Sequence, residues 1–390
     1  MVGVMRTDLS AAFEMVNFSV LRDKLELFGL ESGALDWIES FVVNRRQSTS
    51  IDGRLSAPLS LSLGVPQGSI LAPLLYILYT SDAPDLIHSH KVSITNANTR
   101  CNTCGSCVAF IDDCSWSFSA RSAHELSERL SREYEKIASY MAANSLVIND
   151  DKSHLIVFGN KTYKEERDKV RLQAGNFTIR PSQSETLLGG TINQDLKWSD
   201  HIRNGKNSLL SQLNGRINGL SLISKNMNFS TRLMVANAIV NSKLCYLIQV
   251  WGGTQDYLIR CLQVAQNRAM RIITGLCWFT PSRILLQRCK WLSVKQLVEY
   301  HTLLTLHKSK VSGRPKYLYD KFCTKTDYTT RQQVKFGENF TGKTERTRSS
   351  FCYRGASKYN LLPRDITDSV SIDSFKGKLK KWIKLNVPLE

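Results

Sequence analysis

Two adjacent carboxylates, Asp112 and Asp113, stand between two apolar or aromatic runs in residues 107–118. Runs rich in Val, Ile, Phe and Trp favour extended chain, so this segment predicts a tight hairpin with both aspartates at its bend. Because neighbouring carboxylates repel each other, a bend that holds both without a cation is costly. The ordinary alternative is a polar β-turn, in which aspartate is common for conformational reasons alone.

A third aspartate, Asp8, changes this balance, because it also follows a short apolar run at residues 2–5. If the extended segments are neighbours in one sheet, Asp8, Asp112 and Asp113 meet at one edge, and carboxylate oxygens are the ligands that Mg²⁺ prefers. Two such ions about 4 Å apart activate a 3′-hydroxyl and stabilise a leaving pyrophosphate. We therefore predict that these three aspartates are catalytic metal ligands for two Mg²⁺ ions, with Mn²⁺ as a substitute.

Three other side chains complete the predicted site, and two of them, Gln67 and Lys152, also have an ordinary alternative. Phe13 follows shortly after the first aspartate, where a bulky ring would block a ribose 2′-hydroxyl and select deoxynucleotides. Gln67 is polar in an apolar setting, in a loop bracketed by Gly64 and Gly68 that brings backbone close to a ligand or simply begins a helix. Lys152 would neutralise or protonate leaving phosphates, or would face solvent in a turn. Together these residues predict template-directed nucleotidyl transfer.

The elements that must position these residues form an α+β pattern. The helix that begins near residue 33 is expected to end in the basic residues 44–46, and a turn at residues 149–152 is expected to separate two strands. An apolar stripe faces the core along the helix at 121–145 and consists of Leu126, Leu130, Tyr134, Ile137 and Met141. The predicted segments are helices at 19–30, 33–45 and 121–145, a hairpin around Asp52-Gly53, and strands at 146–148 and 155–158.

Charge is distributed very unevenly along the chain. The formal net charge is +18, yet residues 1–150 contain 12 lysines and arginines against 17 aspartates and glutamates, whereas residues 151–390 contain 40 against 17. A generic basic surface would not explain this asymmetry as well as nucleic-acid binding does. We therefore expect the second part to hold a polyanion that the first part processes. Aromatic residues interleave with cations in the region 200–310, where they stack on bases or, as we expect for the tryptophans, pack the core.

The ten cysteines and the hydropathy pattern indicate the compartment. Six of the cysteines lie among apolar residues, as reduced and packed thiols do. The spacing of Cys101, Cys104, Cys107 and Cys114 departs from the paired CxxC units of zinc sites, so free thiols are favoured there over bound zinc. No secretory signal and no run of 18 or more apolar residues is present, which predicts an intracellular protein of the nucleus, the cytoplasm or both, without a membrane partner.

Four segments in a fixed order resemble motifs A, B, C and D of reverse transcriptases. The closest similarity is to the non-LTR (LINE-type) retrotransposon group of the jockey and chicken-repeat kind. The segments are RTDLSAAFEMVN (6–17), LGVPQGSILAPLL (63–75), FIDD (110–113) and NSLVINDDKSHLIVFG (144–159). Four later segments also resemble that group, at residues 187–202, 244–251, 263–275 and 350–363.

This resemblance implies an antiparallel polymerase palm with packed helices, followed by a helical thumb and a C-terminal region. It implies that the three aspartates bind metal, that Phe13 selects the sugar, that Gln67 contacts the nucleotide and that Lys152 is the motif D lysine. The implied partners are an RNA template, a DNA primer and a dNTP, with protein partners undefined. The expected domains are a palm without fingers at 1–195, a nucleic-acid-binding thumb at 196–310, a flexible connection at 311–350 and a small C-terminal module at 351–390.

The sequence also departs from the pattern of the group. Glu14 replaces an aspartate in motif A, Ile111 replaces an alanine in motif C, and Ala72 stands where motif B has glycine. The chain begins only shortly before Asp8, so we expect the fingers and an endonuclease to be missing, as in an N-terminally truncated copy. Two functions therefore remain open: an RNA-directed DNA polymerase fragment, and an inactive relic that keeps a nucleic-acid-binding fold. The bulky Phe13 disfavours a third, an RNA-dependent RNA polymerase.

Overall fold

The structure, a computed structural model, contains two compact units. The described residues are 1–87, 105–160, 163–322 and 344–389. The first unit comprises residues 1–185 and 193–196, and the second comprises residues 186–192 and 197–390. Helices combine with an antiparallel sheet, which confirms the predicted α+β class.

Twelve strands and seventeen α-helices lie in the described part of the chain, together with short 3₁₀ and π helices. The strands are β1 (Val2–Ser10), β2 (Arg45–Gln47), β3 (Ser50–Ile51), β4 (Arg54–Leu55), β5 (Leu59–Leu61), β6 (Ser106–Phe110), β7 (Asp113–Ser119), β8 (Val147–Phe158), β9 (Leu172–Ala174), β10 (Phe177–Ile179), β11 (Ser184–Leu187) and β12 (Gly190–Asn193). The helices are α1 (Phe18–Leu27), α2 (Ser32–Val42), α3 (Ala72–Tyr79), α4 (Ala123–Ala143), α5 (Lys164–Arg167), α6 (Leu209–Ile223), α7 (Phe229–Ala236), α8 (Ser242–Cys245), α9 (Ile248–Trp251), α10 (Asp256–Thr274), α11 (Ser282–Cys289), α12 (Val294–Ser312), α13 (Lys316–Phe322), α14 (Glu345–Ser349), α15 (Phe351–Tyr359), α16 (Arg364–Thr367) and α17 (Ile372–Asn386).

A four-stranded antiparallel sheet forms the centre of the first unit, with the strand order β6-β7-β1-β8. Successive side chains of a strand point to opposite faces, and β1 follows this rule closely. Met5, Thr7 and Leu9 are buried on the core face, whereas Arg6 and Asp8 are only half-buried on the other face. The central strand therefore delivers its polar residues to the face that the core does not cover.

Helix α4 packs against the core side of this sheet, where it contacts β1, β7 and β8. Its apolar stripe is buried as predicted, and the hydroxyl of Ser122 caps the helix by accepting a hydrogen bond from the backbone N–H of Glu125. The hairpin predicted around Asp52-Gly53 is also confirmed, since β3 pairs with β4 and both turn residues have positive φ. Both predictions depended on local sequence information alone.

Two predicted boundaries are wrong. Helix α2 ends at Val42, because Val43 is extended and Asn44 has a left-handed φ of 59°. Arg45 then enters strand β2 and pairs with Leu61 instead of ending a helix. Residues 149–152 do not separate two strands either, because β8 is continuous across them.

Helices build the second unit around two clusters of buried apolar side chains. Helix α12 contributes to both clusters, with Val294 and Leu297 in one and Leu303 and Leu306 in the other. The predicted C-terminal basic helix is present as α17 and packs against α12. Helices also occupy both ends of the expected connection at 311–350, whose residues 323–343 lie outside the described residues. Across the described ranges, no helix combines the length and the apolar character needed to cross a membrane.

Candidate active site

The antiparallel pairing of β1 with β7 brings two of the predicted carboxylates together in the backbone. Thr7 is the partner of Cys114 in this ladder, and Asp8 and Asp113 are the next residue along each strand. Residues opposite each other on antiparallel strands project to the same face, here the face away from the core. Asp8 and Asp113 are thus neighbours across the centre of the sheet.

The third carboxylate, Asp112, lies in the two-residue bend between β6 and β7, as the hairpin prediction required. Phe110 pairs with Asp113 across this bend, so Ile111 and Asp112 form the whole connection. Ile111 has a φ of 58°, a left-handed conformation that suits glycine at the first position of such turns. For an L-residue this conformation costs about 1–2 kcal/mol, and a β-branched side chain is especially unfavourable. The bend that carries Asp112 is therefore strained.

Two cations lie beside the paired carboxylates. Nη2 of Arg6 donates to Oδ1 of Asp113 at 2.7 Å, with the two side chains 25% and 27% exposed. Nζ of Lys152 lies 4.0 Å from Oδ2 of Asp8, and the lysine side chain is 69% exposed. The described residues contain no group of three or more His, Cys, Asp or Glu side chains arranged to hold a metal ion. The carboxylates are thus balanced by side-chain cations in this conformation.

An irregularity in β8 explains the position of Lys152. Arg6 pairs with His154, whereas Asp8 pairs with Asn149. Only one residue separates the two positions on β1, but four separate their partners on β8, so the register shifts there. Such bulges redirect side chains without ending a strand. The hydroxyl of Ser153 donates to the carbonyl of Asn149 at 2.9 Å within the same irregularity. The shift brings a lysine distant in sequence to the carboxylate of the central strand.

The segments that carry Phe13 and Gln67 are joined by backbone hydrogen bonds. The N–H of Gly64 donates to the carbonyl of Val16, and the N–H of Val65 donates to that of Phe13, both at 2.8 Å. A side-chain contact also joins the two segments, because Nε2 of Gln67 donates to Oε1 of Glu14 at 3.4 Å. The structure therefore brings Phe13 and Gln67 together in one substructure.

Gly64 allows this approach because it has no side chain. Its φ is +88°, and a Cβ there would lie 2.7 to 2.9 Å from the carbonyl oxygen, Cα and carbonyl carbon of Glu14. Arg45 holds the loop from the other side: Nε donates to the carbonyl of Val42 at 2.8 Å, and Nη2 donates to those of Leu63 at 3.2 Å and Gly64 at 2.5 Å. An open cavity of about 700 Å³ lies between β2, this loop and Glu14.

Phe13 is itself supported by an aromatic neighbour. Its ring stacks on Tyr76 of α3, with ring centroids 5.0 Å apart and an interplanar angle of 26°. Burial raises the pKa of Tyr76, and the nearby Cys114 and Asp112 raise it further. Its hydroxyl has no hydrogen-bond partner within the described ranges. The phenol therefore stays neutral behind Phe13 and fixes the position of that ring.

Two of the four clustered cysteines lie among the described residues. Cys107 lies on β6 and Cys114 on β7, whereas Cys101 and Cys104 lie outside the described residues. Burial raises the pKa of Cys107 to about 11 and that of Cys114 to about 12, the latter with contributions from Cys107 and the two aspartates. Both are free thiols, and their raised pKa values favour the protonated form.

Comparison with known proteins gives the family. Residues 2–192 match the model of a family described as reverse transcriptase (RNA-dependent DNA polymerase). This part of the chain is a reverse transcriptase domain. A probable RNA-directed DNA polymerase from transposon X-element of Drosophila melanogaster is 24% identical over 311 residues, which are 78% of this chain and 32% of that protein. The RNA-directed DNA polymerase from mobile element jockey of the same species is 23% identical over 246 residues, 63% of this chain and 25% of that protein.

These similarities confirm the resemblance to LINE-type reverse transcriptases. The chain spans about a third or less of the length of these curated relatives. Among solved structures, an apo telomerase from Candida tropicalis aligns with a TM-score of 0.40 and 11% identity, over 82% of this chain and 52% of that one. A Candida albicans telomerase in complex with a fragment of telomeric RNA aligns with a TM-score of 0.36 and 14% identity, over 82% and 50%.

Reverse transcriptases use divalent metal ions and act on a nucleic-acid template and primer. The donor set of this domain fits such an ion chemically, since Asp8, Asp112 and Asp113 offer the hard carboxylate oxygens that Mg²⁺ and Mn²⁺ accept.

Three residues that contact the candidate site residues or their loops were not predicted. Arg6 could have been found, because it stands two residues before Asp8 and period-2 alternation places both on one face. Tyr76 and Arg45 left no comparable signal. Tyr76 looks like any apolar helix residue, and the role of Arg45 depends on the carbonyls of residues 18 and 19 positions away.

Proposed function

We propose that this chain is an RNA-directed DNA polymerase of a retrotransposon, which transfers a deoxynucleotide from a dNTP to the 3′-hydroxyl of a DNA primer on an RNA template. The observation that supports this most is the β1–β7 ladder, which makes Asp8 and Asp113 neighbours on the open face of the sheet, next to the bend that carries Asp112. A polymerase needs this cluster of carboxylates where the primer end and the triphosphate meet.

In this proposal the three aspartates hold two Mg²⁺ ions, which would neutralise the triphosphate and activate the 3′-hydroxyl when bound. The reaction forms a bond between the 3′-oxygen and the α-phosphorus, breaks the bond to the β-phosphate oxygen and releases pyrophosphate. Lys152 neutralises this leaving group or gives it a proton. Its long, exposed side chain near Asp8 has the reach for that task.

The substructure formed by Phe13 and Gln67 selects the nucleotide. The Phe13 ring, which stacks on Tyr76, would exclude a ribose 2′-hydroxyl in this proposal. The amide of Gln67, hydrogen-bonded to Glu14, can both donate to and accept from the nucleotide. Because two backbone hydrogen bonds join the two segments, a nucleotide that fits one is held in register with the other.

The second unit binds the template–primer in this proposal. Residues 201–298 contain 13 lysines and arginines but only one acidic residue, Asp256. Such an excess of cations favours contacts with phosphates regardless of base sequence. We therefore expect the affinity of the chain for an RNA–DNA hybrid to fall steeply as salt increases, and a flat salt response would contradict this role.

One observation favours the second candidate, an inactive domain that keeps its nucleic-acid-binding surface. Arg6 occupies Asp113 with a direct ion pair, and no described cluster of carboxylates is arranged around a metal position. A relic would keep the basic second unit and lose metal-dependent chemistry. The two candidates therefore differ in metal binding and in nucleotide transfer, and agree in hybrid binding.

Primer extension on poly(rA)/oligo(dT) with dTTP and Mg²⁺ tests the polymerase, alongside Mn²⁺ binding followed by electron paramagnetic resonance. Asp112→Asn should reduce incorporation more than about 100-fold, because a metal ligand supports several kcal/mol of charge stabilisation, and should leave hybrid binding intact. Asp52→Asn is a matched control, since Asp52 stands in the β3–β4 turn with a positive φ that asparagine tolerates.

The outcomes separate the candidates. A wild-type chain that binds the hybrid but neither binds Mn²⁺ nor extends the primer is the relic, and the polymerase proposal is then wrong. A fully active Asp112→Asn variant would instead refute the assignment of this carboxylate to the metal.

A further inference from the structure

The aromatic residues of the basic second unit are not all used in the same way. Trp251 and Trp291 are buried in its core, as the sequence led us to expect for tryptophans. Trp278 and Phe279, between α10 and α11, are 82% and 70% exposed. Leaving two large adjacent rings in water gives up the stabilisation that their burial would provide, so core packing does not explain them.

The local backbone presents both rings at the corner of a turn. The N–H of Thr280 donates to the carbonyl of Cys277 at 3.1 Å, which closes a β-turn with Trp278 and Phe279 at its two central positions. Gly, Pro, Asn, Asp and Ser dominate these positions in ordinary turns. The rings meet edge to face, with centroids 5.9 Å apart and an interplanar angle of 86°. One face of the pair is thus left open.

The base of this turn is firmly held. Nη2 of Arg271, in the last turn of α10, donates to the carbonyl of Thr280 at 3.3 Å. Nδ2 of Asn267 donates to the hydroxyl of Ser282 at 2.7 Å and so joins α10 to the start of α11. Gly275 ends α10 in the left-handed conformation, with φ +68° and its N–H bonded to the carbonyl of Arg271. A turn fixed in this way loses little conformational entropy when a ligand stacks on its rings.

The charge around the turn identifies the class of ligand. Residues 257–298 contain seven lysines and arginines and no acidic residue. Arg283 and Arg288 of α11 are exposed within this stretch. Exposed aromatic rings in a strongly basic stretch suit single-stranded nucleic acid. Its unpaired bases can stack on the rings, while the cations contact its phosphates. An apolar protein partner would gain nothing from the cations.

We propose that Trp278 and Phe279 form a stacking platform for unpaired bases of single-stranded nucleic acid. This inference rests on the proposed function, since it assumes that the second unit binds nucleic acid, and it adds the kind of strand and the point of contact. The platform reads no sequence, because every base has a flat face to stack. It discriminates unpaired from paired bases, which present only their edges in the grooves.

The experiment measures fluorescence anisotropy of labelled oligo(rU), oligo(dT) and a blunt RNA–DNA hybrid with the full chain. Trp278→Ala should weaken binding of the single strands about 5- to 150-fold, as expected for loss of one stacked base, and change hybrid binding less than about 2-fold. Trp278→Phe should keep most of the affinity, because it retains a ring. Trp37→Ala is the matched control, an exposed tryptophan of the first unit whose removal should change nothing.

Salt and an abasic oligonucleotide separate stacking from charge. The slope of log affinity against log salt should be the same in Trp278→Ala as in the wild type, whereas Arg283→Ala should lower it by about 0.7 per lost phosphate contact. The affinity of the wild type for an abasic strand should be as low as the affinity of Trp278→Ala for the intact strand. Comparing the rU and dT arms shows whether the platform prefers one strand type.

The other possible results of these binding experiments would contradict either the stacking platform or the nucleic-acid role of the second unit. If the wild type binds the hybrid but Trp278→Ala binds single strands normally, the platform is wrong and the proposed function survives. If the wild type binds no nucleic acid at all, the nucleic-acid role of the second unit fails with it. Equal losses in Trp278→Ala and Trp278→Phe, or self-association that disappears in both, would assign the rings to a protein interface instead.

Discussion

Replacing Gly64 with alanine should open the contact between the Phe13 turn and the Gln67 loop. A left-handed backbone costs an L-residue about 1–2 kcal/mol. The added Cβ would also lie 2.7 to 2.9 Å from backbone atoms of Glu14, which cannot rotate away as a flexible side chain could. The loop must therefore move, and the hydrogen bonds from the N–H groups of Gly64 and Val65 must lengthen. Each is worth about 1 kcal/mol, so the local loss totals about 3–4 kcal/mol.

Gly68→Ala provides a control in the same loop. Gly68 has nearly the same backbone conformation, with φ +83°, but a Cβ there meets nothing within 4 Å. This variant should therefore lose only the conformational part, about 1–2 kcal/mol. Both variants gain the same small amount from a less flexible unfolded chain, which cancels in the comparison. The difference between them, about 2 kcal/mol, isolates the close approach to Glu14.

Hydrogen exchange followed by mass spectrometry measures this difference locally. Peptides that cover residues 63–67 should exchange about 30-fold faster in Gly64→Ala than in Gly68→Ala, since 1.4 kcal/mol corresponds to a factor of ten. Peptides from α4, which packs against the central sheet, should not change. Equal exchange in the two variants would refute the reasoning, because it would mean that the contact with Glu14 does not hold the two segments together.

Two further predictions follow from the described contacts. Phe13→Ala, which removes the ring stacked on Tyr76, should admit ribonucleotides in primer extension, and unchanged sugar discrimination would exclude Phe13 as the gate. Burial, together with nearby Lys310, lowers the pKa of His307 to about 4, and the side chain is only 1% exposed. The unfolded chain therefore binds the proton more tightly, so stability is intact above about pH 6.5 and falls by up to about 3 kcal/mol as pH drops through 4. Urea unfolding at several pH values should show this loss in the wild type and in His124→Gln, an exposed control, and a smaller loss in His307→Gln. Identical pH profiles for the wild type and His307→Gln would contradict the prediction.

The parts of the fold that the sequence predicted well depend on local periodicity. The apolar stripe of α4 and the turn at Asp52-Gly53 are each determined by residues close together in the sequence, and both form as expected. The errors arise where long-range pairing overrides local preference. Asn44-Arg45-Arg46 looks like the end of a helix, yet Arg45 gains a strand partner at Leu61 and three carbonyl acceptors. No local pattern contains that information.

The irregularity in β8 shows the same principle at the candidate site. Asn149-Asp150-Asp151-Lys152 has the composition of a turn, and turn residues normally end strands. Both flanks nevertheless pair with β1, through Asn149 on one side and His154 on the other. The strand therefore absorbs the polar residues as a bulge. This long-range pairing, and not the local composition, brings Lys152 near Asp8.

The Arg6–Asp113 pair is compatible with a metal site when its energy is considered. Both side chains are about a quarter exposed, and ion pairs in contact with solvent contribute only about 0–1 kcal/mol. A divalent ion bound by several carboxylates gains far more, so Arg6 can release Asp113 at little cost. In the metal-free domain the arginine offsets the repulsion among neighbouring carboxylates, which the sequence led us to expect to be costly in this bend. Arg6→Gln should therefore lower the stability of the metal-free domain without weakening its affinity for Mn²⁺, and a loss of Mn²⁺ binding in that variant would contradict this account.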